Sequence, residues 1–185
     1  MDLPVVRFAA LLHDIGKPAT LGDGPFHGHE VVGAEVAAAL LRRLRFARAT
    51  ADPVVQLVRQ HMFEYEPAWG DAAVRRFIAR VGPSRLEELF ALRQADDVGS
   101  GLMGEQAGLS ELRARVAGQL KARAPLQRTD LAVDGDDLIV ELGLTPGPLL
   151  GAILDRLLEA VLEDPGLNDR LTLLALARSR VGNAH

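Results

Sequence analysis

His13 and Asp14 stand side by side at the end of an apolar run, Leu11-Leu12-His13-Asp14-Ile15-Gly16-Lys17-Pro18. Imidazole and carboxylate on one short segment are ligands for a divalent ion, and the pair suits Zn, Mn, Fe, Ni or Co. His27, His29 and His61 follow within fifty residues, and Asp96-Asp97 comes after Ala95. A single histidine is more often a cap, a core hydrogen-bonder or a surface group than a ligand. Here four of the five histidines lie between positions 13 and 61. A charge closing an apolar helix also needs a partner. These residues predict one metal site built from His13, Asp14, His29, His61 and Asp96, with Asp97 the weaker alternative to Asp96.

A divalent ion in such a site lowers the pKa of a bound water and polarises a phosphoryl oxygen. A carboxylate such as Asp14 can bridge two ions about 3.5–4 Å apart. Lys17, Arg75 and Arg76 carry cations that would offset charge on phosphoryl oxygens. Lys17 is otherwise a solvated loop lysine. His27 is either a group behind the site or a surface residue. The chemistry implied is hydrolysis of phosphate esters, with Asp14 and Lys17 as the catalytic pair and Lys17, Arg75, Arg76 and His27 as substrate contacts.

The elements that must position these groups are helical. Residues 3–14 form a nearly continuous apolar helix that Gly16 and Pro18 end. Residues 19–27 are a loop. From His29 to Arg45, Val32, Val36, Leu40 and Leu44 recur at a spacing of four, which predicts an amphipathic helix buried on that stripe. Thr50 or Asp52 is expected to cap the next helix, which carries His61. Asp71 is expected to cap a helix through Arg80, which Gly82-Pro83 stops. Ser84 and Glu87 predict a capping box for a helix reaching about Val98. Residues 99–108 are glycine-rich and expected to be mobile, and 109–123 are helical. Ala124-Pro125 marks a boundary, beyond which helices are expected near 135–142, 147–163 and 167–180. No stretch alternates with period two over strand length, so the fold class is all-α.

The chain has 185 residues, a net charge of about -4 and no cysteine. Disulfide and thiolate chemistry are therefore excluded. The charge does not suggest a strong nucleic-acid binder, although arginine is locally dense at 42, 43, 45 and 48. No apolar run is long enough to span a membrane, and no signal segment opens the chain, so the expected location is the cytoplasm.

The His13-Asp14 segment resembles the signature of the HD superfamily of metal-dependent phosphohydrolases. A narrower likeness runs through Phe26-His27-Gly28-His29-Glu30 with Gly33-Ala34, then Arg59-Gln60-His61-Met62, Val74-Arg75-Arg76-Phe77 and Arg93-Gln94-Ala95-Asp96. Together these resemble the HD region of bacterial tRNA nucleotidyltransferases. Leu138, Gly143, Pro146-Gly147-Pro148, Gly151 and Ile153-Leu154 are similar to their helical RNA-facing end. The resemblance implies an HD helical bundle over 1–124 and a C-terminal helical extension over 125–185. It implies one or two divalent ions (Mn, Ni, Co, Zn, Fe or Mg), with His29 and His61 like the ligands of two-metal members. It also implies phosphatase, 2′,3′-cyclic phosphodiesterase or related activity on a phosphate ester or nucleotide.

The sequence departs from the family in two places. It opens where the nucleotidyltransferase head would already have ended, and that head's catalytic motif is not found, so nucleotide addition is not expected. None of the twelve residues before His13 is the histidine that many HD proteins carry there. The apolar opening from Leu3 to Phe8 would be a sticky face without a neighbouring domain, so homodimerisation is expected. The competing expectation is a non-catalytic module for RNA binding or dimerisation.

Overall fold

Glycine and proline mark where several helices of this chain stop. The computed structural model describes residues 3–22, 26–101 and 106–182, with backbone alone at Leu3, Gln106 and 180–182. Among these the regular elements are all helices: α1 (Leu3–Leu12), α2 (His29–Arg43), α3 (Arg48–Gln60), α4 (Asp71–Val81), α5 (Leu86–Gly99), α6 (Gln106–Lys121), α7 (Gly135–Leu142), α8 (Pro148–Glu163) and α9 (Arg170–Gly182). The fold is all-α. Residues 102–105 of the expected mobile stretch, and His185, lie outside the described residues.

The helices form two compact units, one of Met1–Pro67 with Val81–Arg113 and one of Ala68–Arg80 with Ala114–His185. A single break near residue 124 does not describe this division, because the segment 68–80 groups with the C-terminal helices.

In the first unit, α1, α2, α3 and α5 bury Val5, Ala9, Leu12, Ala34, Leu57, Val58, Leu89 and Leu92. Each large apolar side chain removed from water contributes about 1.5–3 kcal/mol. Val5 is buried here, and Phe8 meets Phe46 edge-on with ring centroids 5.0 Å apart. The opening segment therefore spends part of its apolar surface inside its own unit, and the sticky face expected there is reduced.

The buried face of α2 differs from the expected one. Val36 and Leu44 are exposed, while Gly33, Ala34, Ala37 and Leu41 are buried beside His29. Small side chains let α2 and α3 approach closely, so Val36 and Leu44 are left outside and Val32 and Leu40 are only half-buried. The α3 start also differs: Ala47 precedes Arg48 as the N-cap, and Thr50, Asp52 and Pro53 fall inside the helix. The Ser84–Glu87 capping box does not form, because Pro83–Arg85 is a turn of 3₁₀ helix without a side-chain cap.

Arg45 adopts φ 60 after α2. The Phe46 amide donates to Leu41 O at 3.0 Å and the Arg45 amide to Arg42 O at 3.0 Å. This is a Schellman ending, in which glycine normally takes the left-handed residue. A side chain there costs roughly 1–2 kcal/mol.

The second unit closes on Leu131, Val133, Leu138, Ile153, Leu157, Val161, Leu173, Leu174 and Ala177. Asp134 caps α7 by accepting from the Asp137 amide at 2.9 Å, and the Asp137 carboxylate accepts from the Asp134 amide at 3.1 Å. That amide hydrogen bond, with Arg170 beside it, holds the Asp137 pKa below its ordinary value.

Candidate metal centre

The end of α1, the start of α2 and the end of α3 meet at one point. His13 and Asp14 sit in the turn after Leu12, where the Ile15 amide donates to Leu12 O and the Lys17 amide to Asp14 O. His29 is the first residue of α2, and His61 is the C-cap of α3. Gly16 makes this meeting sterically feasible. A Cβ at that position would lie 2.1 Å from His29 O and 2.6 Å from Gly33 N.

The three histidines are held in the same way. Nδ1 of His13 lies 2.8 Å from Ala10 O, Nδ1 of His29 lies 2.7 Å from Phe26 O, and Nδ1 of His61 lies 2.7 Å from Val58 O. A carbonyl oxygen only accepts, so each Nδ1 carries the hydrogen and donates. In the neutral rings each Nε2 then keeps its lone pair.

Those Nε2 atoms converge on Asp14. Its Oδ1 is 3.4 Å from His29 Nε2 and 4.0 Å from His61 Nε2. Its Oδ2 is 3.2 Å from His13 Nε2 and accepts from Lys17 Nζ at 2.6 Å. Asp96 Oδ1 stands 3.4 Å from His13 Nε2. Ligand atoms of Asp14, His29 and His61 all lie within 4.8 Å of one another.

The donor set fits a divalent cation. His29 Nε2 and His61 Nε2 are only 3.2 Å apart. With both hydrogens on Nδ1, two lone pairs face each other there, and a metal cation between them would make the contact favourable. Burial, the largest influence on His61, lowers its pKa. The Val58 carbonyl and Asp14 oppose that, and His13 and His29 reinforce it. Asp14 is also shifted down: desolvation raises its pKa, but the Lys17 hydrogen bond and the charges of His13, Lys17 and His29 together outweigh it.

These shifts give the metal-free protein a pH dependence. The unfolded chain protonates His61 near its ordinary value of 6.5, before the folded chain does. Stability therefore falls as pH drops from 6.5 towards the depressed folded value. Asp14 adds a second loss below its ordinary value of 3.8, in the same direction. Melting of metal-stripped protein is expected to move to lower temperature as pH falls below about 6.5. A melting temperature that rises on acidification would contradict the neutral His61.

Arg75 and Arg76 do not serve as free substrate cations. Buried Arg75 donates through Nε to Leu162 O at 2.7 Å, through Nη2 to Glu163 O at 2.8 Å and through Nη1 to Gln119 at 3.2 Å. It thus satisfies the last carbonyls of α8. Arg76 pairs with Glu159 at 2.9 Å and Glu163 at 2.7 Å. His27 is exposed, and its side chain has no hydrogen bond or ion pair among the described residues. Buried Asp97 pairs with Arg93 at 2.9 Å, which leaves Asp96 as the carboxylate beside His13.

Sequence reasoning placed Arg93 in a family-like segment but gave it no role. Its Nη1 lies 3.5 Å from Phe63 O, and its guanidinium stands 5.8 Å from the Phe63 ring. Arg93 thereby ties the segment after His61 to α5. The sequence signal for the ion pair was its spacing of four residues from Asp97.

The HD-domain family matches residues 1–118. The A-adding tRNA nucleotidyltransferase of Deinococcus radiodurans is 35% identical over 170 residues, which cover 84% of this chain and 37% of that protein. The CC-adding tRNA nucleotidyltransferase of Thermus thermophilus is 38% identical over 163 residues, covering 85% of this chain and 36% of that protein. The Multifunctional CCA protein of Verminephrobacter eiseniae is 34% identical over 157 residues, covering 80% and 36%. The chain thus spans little more than a third of the length of these relatives. No solved structure matches it significantly. No helix among the described residues is long and apolar enough to cross a membrane. With a matching HD domain over most of its length and an imidazole–carboxylate cluster at the motif, this chain belongs to the HD-domain family of metal-dependent phosphohydrolases.

Proposed function

We propose that this chain hydrolyses phosphodiesters, 2′,3′-cyclic nucleotides among them, and simple phosphate monoesters. The observation that carries the reading is the convergence of three carbonyl-fixed imidazoles on the two oxygens of one carboxylate. His13, Asp14, His29, His61 and Asp96 would hold the ion. A divalent ion there supplies Lewis acidity at a phosphoryl oxygen and an acidified water as nucleophile. The protein does the rest by position. The three Nδ1–H···O=C bonds stop the imidazoles from rotating, which keeps each Nε2 aimed inward. Asp14 turns Oδ1 towards His29 and His61 and Oδ2 towards His13, so one carboxylate serves two sets of ligands. Lys17 keeps Oδ2 ionised and is the ammonium closest to the cluster for a substrate's phosphoryl oxygen.

A second reading, a non-catalytic RNA-binding module, is favoured by the names of the relatives, which act on tRNA. One assay separates the two. Metal-stripped protein is given 2′,3′-cyclic AMP and a chromogenic phosphodiester with Mn, Ni, Co, Zn or Mg. Metal-dependent turnover is expected, reduced about 100-fold or more in His61→Ala. Absence of turnover with every ion, in a folded protein that binds metal, would sink the hydrolase reading.

A further inference from the structure

The helical hairpin that brings His29 and His61 together has a second chemically distinct end. Where α2 turns into α3, the chain carries Arg42, Arg43, Arg45 and Arg48, with no acidic residue from Val36 to Ala51. All four are exposed, and among the described residues none of their side chains has a hydrogen bond or ion pair. Arg75, Arg76, Arg93, Arg128 and Arg170 face carboxylates or carbonyls. The other exposed arginines without a partner among the described residues, Arg7, Arg59, Arg123 and Arg156, are scattered along the sequence, so what sets the turn apart is four such groups within seven residues. The nearest acids along the two helices, Glu35 and Asp52, also form no ion pair with the four arginines.

Two of the four occupy places that local structure disfavours. Arg45 takes the left-handed position at the end of α2, where glycine is the relaxed choice. Arg48 is the first residue of α3, where the helix dipole repels a cation. Phe46, packed edge-on against Phe8, pins the turn and leaves the guanidinium groups outside. In a chain with 25 acidic and 21 basic residues, four unpaired arginines on one turn are not general basicity.

We infer that the α2–α3 turn is a docking surface for the phosphate backbone of single-stranded RNA. The type of cation supports this occupant. Guanidinium meets phosphate oxygens through two parallel hydrogen bonds, and lysine, which does not, is not used in the turn. A flat anionic membrane would favour several apolar residues beside the cations, and Leu44 is the one exposed large apolar side chain here. Along α2 the turn lies roughly 20 Å from His29, so it is separate from the metal cluster and does not depend on the hydrolase reading.

The test uses the whole chain and a fluorescein-labelled single-stranded RNA of mixed sequence. Anisotropy is followed across a salt series for the wild type and for R42Q/R43Q/R45G/R48Q. The expected result is a loss of at least tenfold in affinity at low salt. The slope of log affinity against log salt should shrink by about 2–3, near 0.7 per lost phosphate contact. Arg45→Gly alone is expected to fold at least as well as the wild type, so lost binding is not lost structure. Unchanged metal content of the quadruple variant confirms that the other end of the hairpin is intact. Equal RNA affinity and slope in the two proteins would overturn the inference. So would anionic vesicles, of phosphatidylserine and phosphatidylcholine, that bind the wild type through these arginines while RNA does not.

Discussion

Gly16→Ala is expected to destabilise the N-terminal unit by roughly 2–4 kcal/mol and to weaken divalent-metal binding with it. The added Cβ would meet His29 O at 2.1 Å, Gly33 N at 2.6 Å and Gly33 Cα at 3.0 Å. All three atoms are backbone, so no rotamer change relieves the clash. Either the turn carrying Asp14 or the first turn of α2 must move, and each carries part of the cluster. Gly33→Ala is the informative comparison. Its nearest neighbours would be Gly16 N at 3.3 Å and Val58 Cγ1 at 3.5 Å, so a small shift suffices. Denaturant titrations of metal-stripped protein, followed by circular dichroism, read the difference. Equal midpoints for Gly16→Ala and the wild type would show that the turn and α2 do not touch in this way.

Asp14→Asn is expected to reduce metal affinity by about 100-fold or more, well beyond the loss in Asp96→Asn or Lys17→Met. Asp14 is the group on which His13, Lys17, His29 and His61 all converge, at 3.2, 2.6, 3.4 and 4.0 Å. Removing its charge leaves three imidazoles and an ammonium without the carboxylate that balances them. Asp96 faces only His13 within the cluster, and Lys17 is a cation that any ion must share space with. Calorimetric titration with Mn or Ni compares the three variants at one pH. An Asp14→Asn protein within about threefold of the wild type would remove this carboxylate from the ligand set.

Local signals in the sequence explain much of this arrangement. Helix α1 stops at Leu12, two residues short of the expected end, and the turn that Gly16 and Pro18 signal carries His13 and Asp14; a helix start at His29 follows from the turn before it. Helix ends are where several chains of atoms can meet, so histidines at those ends were informative. The shared Nδ1 bond to the carbonyl three residues earlier was not legible, because it depends on side-chain rotamers. The face of α2 was misjudged for a different reason. Hydropathy weights valine and leucine, whereas the contact with α3 is decided by how little space Gly33, Ala34 and Ala37 occupy. Arg75 was misjudged because its acceptors, Leu162 O and Glu163 O, lie nearly ninety positions away in sequence. Nothing near Arg75 signals a helix end so distant along the chain.

The meeting of α1, α2 and α3 at Asp14 has a mechanical consequence. An ion held jointly by Asp14, His29 and His61 ties three chain segments at one knot and closes two loops, much as a covalent staple would. Unlike a covalent bond, this staple can be withdrawn by a chelator and restored by adding ion. At a hundredfold excess of free ion over its dissociation constant it adds about 2.7 kcal/mol to the folded state. The unit's lifetime against heat and proteases then becomes a reading of available metal, whether or not substrate is present.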